Sequence, residues 1–285
     1  MAALPSAAAQ PKTSIEETRG KPMPNIVVLI KQVPDTWSER KLTDSDYTLD
    51  RGAADAVLDE INERSVEEAL QIKERDGGEV VVLTVGPERA GEAVRKALSM
   101  GADRAVHVQD DAIRGSDAIQ TAWVIAKALG TIEGVSLVIA GNESTDGRVG
   151  AVPAIVAEYL GLPQLTSVRE LTFDGESITA VRETDEAVYT LKATLPAIVS
   201  VTEKINEPRF PSFKGIMAAK KKPVEVLSLA DLGVEADEVG FANAGSKVQS
   251  VTAKPPKSAG EKVVDEGDGE GGPKIAQYLI SHKII

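Results

Sequence analysis

The chain has no cysteine among its 285 residues and only two histidines, His107 and His282. The first absence excludes disulfides, thiolate metal sites and cysteine nucleophiles together. The second argues against a histidine-based catalytic triad or a multi-histidine metal site. Aromatic residues make up 4% of the chain against 42% hydrophobic residues overall, so Val, Ile, Leu and Ala must fill the core. Basic side chains are in deficit: 32 Lys and Arg stand against 44 Asp and Glu, a net charge of −12. That balance opposes general nucleic-acid binding and confines positive charge to local sites. No apolar run approaches the ~18–20 residues needed to cross a bilayer. Residues 1–22, rich in Ala, Pro and Ser, lack the continuous apolar segment of a secretory signal. The expectations are no nucleic-acid partner, no membrane insertion, a cytoplasmic location and a disordered N-terminal extension over residues 1–22.

What is present is a strict alternation. Apolar runs at residues 25–30, 79–85, 104–108 and 135–140 read as strands, and helical spacing appears at 61–75, 88–100 and 116–129. Ser116 is the expected N-cap of the third helix. A fourth helix follows over residues 151–160. This order implies an α/β fold with a mostly parallel, Rossmann-like nucleotide-binding sheet and helices on both faces. Beyond Gly161 the strand pattern at 165–173, 177–182, 187–193 and 197–201, with Asp174-Gly175 as a hairpin turn, predicts an antiparallel extension of that sheet. Pro208 and Pro211 break regular structure before a short helix over residues 214–219. The main domain is expected to span residues 23–231. Residues 232–273 read as an acidic flexible arm, and residues 274–285 as an amphipathic C-terminal segment too short to stand alone.

The stretch Gly141-Asn142-Glu143-Ser144-Thr145-Asp146-Gly147-Arg148-Val149-Gly150 links the fourth strand to the fourth helix. Strand, glycine-rich polar loop and helix N-terminus are the arrangement by which open α/β sheets hold phosphates. The loop is neither G-x-x-x-x-G-K-[ST] nor G-x-G-x-x-G, which argues against an ordinary ATPase or nicotinamide site. A plain strand-to-helix turn is the competing reading.

Several segments in order resemble the β subunit of electron transfer flavoproteins: Ile30-Lys31-Gln32-Val33-Pro34-Asp35-Thr36; Ser65-Val66-Glu67-Glu68-Ala69-Leu70; Gly86-Pro87 with Ala97-Leu98-Ser99-Met100-Gly101-Ala102-Asp103; Asn206-Glu207-Pro208-Arg209-Phe210; and Ile216-Met217-Ala218-Ala219-Lys220-Lys221-Lys222. Around the acidic cluster Glu183, Asp185 and Glu186 the pattern departs, with Ala187 and Tyr189 where acidic or amide residues are more usual. The resemblance implies a heterodimer with an α subunit that carries most of the FAD site, while the β subunit holds AMP in a structural role. Carried over, the AMP pocket comprises Leu29; Asp59, Glu60, Ile61 and Asn62; Val85; and Gly141, Asn142, Glu143, Ser144, Thr145, Asp146, Gly147, Arg148 and Val149. Asp146 either caps the following helix or contacts the nucleotide; Arg148 either contacts phosphate or forms a surface ion pair. Thr36 stands where Tyr is usual near the flavin, and Trp37 either substitutes for it or covers an apolar seam.

The same resemblance makes residues 206–219 a recognition loop for partner dehydrogenases such as acyl-CoA dehydrogenases. Phe213 stands at the anchoring position, with Ile216 and Met217 beside it; the alternative tucks Phe210 and Phe213 under the loop. Lys220, Lys221 and Lys222 either steer acidic partners or form a solvated run. The expected role is an electron carrier without bond chemistry of its own, passing electrons towards a membrane quinone oxidoreductase in processes such as fatty acid β-oxidation. Two alternatives stand beside it: a bifurcating-type β subunit with a second FAD in the AMP site, and a stress-type nucleotide-binding module without a redox role.

Overall fold

The computed structural model describes residues 23–252, 255, 260, 262–265, 267 and 269–285. The expected N-terminal extension, residues 1–22, lies outside the described residues. The chain divides into two compact units, one up to Val248 and one over Gln249–Ile285.

In the first unit the strands are β1 (Asn25–Leu29), β2 (Gln32–Pro34), β3 (Ala56–Leu58), β4 (Glu79–Val85), β5 (Arg104–Val108), β6 (Val135–Gly141), β7 (Gln164–Phe173), β8 (Ser177–Glu183), β9 (Val188–Thr194), β10 (Ala197–Val201) and β11 (Val224–Leu227). The helices are α1 (Glu60–Asp76), α2 (Gly91–Met100), α3 (Ala118–Leu129), α4 (Val152–Leu160), α5 (Phe213–Ala219) and α6 (Gly240–Asn243). The second unit contributes α7 (Gly271–Ser281), which begins three residues before the amphipathic segment expected over residues 274–285.

Nine strands form one sheet in the order β11-β5-β4-β1-β6-β10-β7-β8-β9. All pairs from β11 to β7 are parallel; β7–β8 and β8–β9 are antiparallel. The fold is therefore mixed α/β with a large, mostly parallel central sheet. Side chains of β1 alternate between two cores. Ile26 and Val28 pack with Val66, Leu70, Ala97 and Leu98 of α1 and α2, while Val27 and Leu29 pack with Ala122, Ile125, Val156 and Ala157 of α3 and α4. Burial on both faces explains why these strands read as continuous apolar runs.

Four expectations change. β10 does not extend an antiparallel meander: it returns to lie between β6 and β7, parallel to both, with all five residues buried. A strand buried on both faces belongs in the middle of a sheet. The α3 N-cap is Asp117, which accepts from the backbone N–H groups of Ile119 and Gln120 while Gln120 bonds back to the Asp117 N–H. Ser116 instead accepts from the Gly240 N–H at 2.8 Å. The helix read at 88–100 opens with a 3₁₀ turn over Glu88–Ala90 before α2. Finally, Leu232, Val234 and Val239 are buried in the second core, so packing continues beyond the expected start of the arm. The short β2–β3 pair and the edge strand β11 have too few residues to show a periodicity in the sequence.

Val239 is 1% exposed and Val248 53%. Val239→Ala should therefore lower stability by about 1–2.5 kcal/mol, whereas Val248→Ala should change it by less than about 0.5 kcal/mol. Urea unfolding of both variants checks this placement of the boundary.

Candidate functional site

The first three parallel strands around β1 set the position of the site. β4 lies on one side of β1 and β6 on the other, so the connections leave in opposite directions and a crevice opens at their carboxyl ends. Leu29, Val85 and Gly141 are the last residues of those strands, and all three line a cleft of about 250 Å³. Its apolar wall adds Ile125 and Ala140. Its polar side carries Lys31, Asn142 and Ser144, with Asn62 from α1. The first turn of α4, Val152 and Pro153, borders it, and no side chain caps that helix. An uncapped helix start leaves backbone N–H groups available to an anion.

The loop over residues 142–151 is fastened from below by two carboxylates. Asp59, fully buried, accepts from the Ile61 N–H at 3.0 Å as the N-cap of α1. Its second oxygen accepts from the Thr145 N–H at 2.7 Å and the Thr145 hydroxyl at 3.0 Å. Asp146 accepts from Lys31 Nζ and Arg51 Nη2, both at 2.7 Å, and its side chain is inaccessible to solvent. Arg40 adds a bond from Nη1 to the Thr145 carbonyl at 2.6 Å. Gly141 is required by proximity: a Cβ there would sit 2.8 Å from Asn62 Nδ2 and 3.0 Å from Ile61 Cγ2.

Burial alone would raise the Asp146 carboxyl, but the charge and hydrogen bond of Lys31, with those of Arg51, outweigh it and hold it well below the usual carboxylate range. The Lys31 ammonium does not shift in mirror image. Burial lowers it more than Asp146 raises it back. Because the Lys31 side chain is still 39% exposed, water contact offsets that lowering, and the depressed Asp146 is the firmer sign that the pair is ionic at neutral pH. Lys31 Nζ also donates to Ser144 Oγ at 3.3 Å, which aims the ammonium along the polar wall.

Of the residues expected at the pocket, Leu29, Asn62, Val85, Gly141, Asn142, Glu143, Ser144, Gly147 and Val149 meet on the cleft. Asp59, Glu60, Ile61, Thr145, Asp146 and Arg148 do not line it. Asp59, Thr145 and Asp146 point inward to hold the loop, and Ile61 packs behind it. Glu60 accepts from the Thr36 hydroxyl at 3.2 Å. Asp146 caps no helix: α4 begins six residues later. Arg148 forms a surface pair with Glu143 at 3.5 Å. Lys31, Ser116 and Asp117 line the cleft without having been expected at the pocket. Their signal was positional, since Lys31 follows the central strand and Ser116–Asp117 precede a helix whose start faces the same crevice.

The other expected site residues lie elsewhere. Trp37 is 95% exposed, so it covers no seam within the described residues. Phe210 and Phe213 are 92% and 81% exposed and are not tucked under their loop; Ile216 and Met217, one turn on, are exposed as well. Lys222 leaves the supposed basic run: its ammonium donates to the carbonyls of Leu98 at 2.9 Å and Ala102 at 2.5 Å, closing the end of α2. Lys220 and Lys221 remain exposed. Among the described residues no helix is long and apolar enough to cross a membrane, and no cluster of three or more His, Asp or Glu could hold a metal ion.

Residues 46–232 match the electron transfer flavoprotein domain. The chain is 72% identical over 268 residues to the electron transfer flavoprotein subunit beta of Mycobacterium tuberculosis, an alignment covering 92% of this chain and 100% of that protein. The chain belongs to the electron transfer flavoprotein β-subunit family. More distant members include the subunit of Thermoanaerobacterium thermosaccharolyticum, 35% identical with 83% of this chain and 91% of that protein covered. The subunit of Bacillus subtilis is 33% identical, with 92% and 100% covered. Family membership supports an electron transfer flavoprotein role.

Asp146→Asn should lower stability at pH 7 by about 1–3 kcal/mol, because it leaves Lys31 and Arg51 without their shared anion. The sign with pH follows from the depressed carboxyl. Its contribution is full above the unfolded value of about 3.9 and is lost as pH falls through the lower folded value. The gap between wild type and Asp146→Asn should therefore narrow towards pH 3, as measured by urea unfolding at a series of pH values.

Proposed function

We propose that the chain is the β subunit of a heterodimeric electron transfer flavoprotein, that its cleft holds AMP as a structural nucleotide, and that residues 206–219 dock donor dehydrogenases. The observation that supports the nucleotide most directly is the division of the cleft. An apolar wall of Leu29, Val85, Ile125 and Ala140 faces a polar side of Lys31, Asn142 and Ser144 beneath an uncapped helix start. The wall suits a purine and the polar side a phosphate. Asn142 fits this reading further, since its Oδ1 is buried without a hydrogen-bond partner, and a buried amide that finds none in the protein is suited to one from a ligand. Asp117 and Glu143 also line the cleft. Their charge disfavours a polyphosphate and favours a single phosphate group.

In this reading the α subunit carries most of the FAD site, and the loop bearing Thr36 and exposed Trp37 lies towards it. When bound, FAD supplies the redox chemistry of the complex. This chain contributes the nucleotide-supported scaffold and the surface on which a donor such as an acyl-CoA dehydrogenase docks; electrons then leave towards a quinone oxidoreductase. Phe213 suits an anchor: it is exposed, it stands on a proline-stiffened segment, and an aromatic side chain with two torsions loses little entropy on docking.

Two measurements test the proposal. Extraction of nucleotide from the purified αβ complex should yield one FAD and one AMP; two FAD would transfer the cleft to a second flavin, and hydrolysis of ATP by a chain that binds no flavoprotein partner would overturn the carrier role. Phe213→Ala should slow flavin reduction by an acyl-CoA dehydrogenase about tenfold or more at sub-saturating concentration, with bound FAD and AMP unchanged; an unaltered rate would remove Phe213 from the docking surface.

A further inference from the structure

The docking segment has almost no apolar foundation. Between β10 and α5 only Ile205 packs against the core, while Phe210 and Phe213 point into solvent. Its direction is therefore set by polar ties, and these converge on one face of α1. Arg209 donates to Glu67 from its backbone N–H at 3.2 Å, from Nε at 2.7 Å and from Nη2 at 3.0 Å. The same guanidinium donates to Glu74 from Nη2 at 3.0 Å and from Nη1. Glu67 and Glu74 are seven residues apart, two turns on one helix face, so a planar donor fork bridges both. Glu67 is buried and is held in place by Gln71 Nε2 at 3.0 Å. Three residues earlier, Asn206 Nδ2 donates to the Arg64 carbonyl at 3.1 Å and to Glu68 at 3.0 Å. At the far end α5 sits on α2 so closely that a Cβ on Gly215 would lie 2.4 Å from the Ser99 carbonyl oxygen.

Resting on the docking role proposed above, we infer that Arg209 is a positioning residue for donor recognition: its clamp on Glu67 and Glu74 fixes the direction in which Phe210 and Phe213 leave the surface. One guanidinium facing two carboxylates leaves a net negative charge, so Arg209 offers no spare positive charge to an acidic partner. Its contribution is to remove freedom from the segment before docking, which otherwise costs affinity when the segment orders on the partner.

The test uses the αβ complex as electron acceptor of an acyl-CoA dehydrogenase. Arg209→Gln should raise the KM for the complex about three- to thirtyfold, with kcat within about twofold and FAD and AMP content unchanged. Arg209→Lys, a point charge that cannot bridge both carboxylates, should recover only part of the loss. Glu74→Gln, at the exposed arm of the clamp, should raise KM in the same direction by less, and it carries the test if Arg209→Gln does not fold. Because Arg209 acts through the anchor, Arg209→Gln/Phe213→Ala should be no worse than Phe213→Ala alone. An unchanged KM in both clamp variants, beside a raised KM in Phe213→Ala, overturns the clamp and leaves the docking surface standing. Additive effects overturn it too, since they would mean that Arg209 meets the partner directly. A normal KM in Phe213→Ala overturns the docking reading and the role of Arg209 with it.

Discussion

Asp59 is the interaction on which the arrangement turns. One oxygen of this buried carboxylate caps α1, and the other takes both donors of Thr145. A buried carboxylate is costly unless its acceptor sites are filled, so the helix start and the loop after β6 are each a condition for the other. The helix cannot shift without stranding a charge, and the loop cannot lift without doing the same. Asp146, paired with Lys31 and Arg51, repeats the device one residue along.

These two carboxylates bear on a difficulty that the proposed anion site meets on an acidic protein. Negative groups near a phosphate repel it unless they are neutralised. Here the carboxylates of Asp59 and Asp146 turn inward and are filled by amides, a hydroxyl and two cations, while Lys31, Ser144 and the open start of α4 face the cleft. Asp59 and Asp146 hold the loop in shape, so that of the acidic groups nearby only Asp117 and Glu143 line the cleft beside these favourable dipoles. From the same helix the segment that carries Asn206 and Arg209 takes its bearing, through Glu67, Glu68 and Glu74. The N-terminal turn of α1 borders the cleft and ties down its loop, and its later turns hold Asn206 and Arg209, so one rigid element relates the two regions.

Much of this was legible in the residues. The apolar runs marked β1, β4, β5 and β6 to within a residue, because strands buried on both faces carry a long signal. The loop after β6 was found because glycines, hydroxyls and a helix start follow a strand in one continuous stretch. What escaped was short or non-local. β2, β3 and β11 have three or four residues and no period to detect. The partners of Asp146 lie 115 and 95 residues away, so nothing near it in sequence could distinguish a helix cap from an ion pair. Lys222 stood in a run of three lysines that looks uniform, yet only its ammonium reaches the end of α2.

The sequence by itself determined the fold class, the place of the cleft at the ends of the central strands, and membership of the electron transfer flavoprotein β-subunit family. Each rests on local patterns that survive without knowing what packs where. Only the tertiary structure decided which polar residues face the cleft and which lie behind it, that β10 joins the parallel sheet, and that Arg209 is anchored while Phe213 is free. Those outcomes depend on long-range pairing of charges and on burial, and neither is written into the spacing of any single segment.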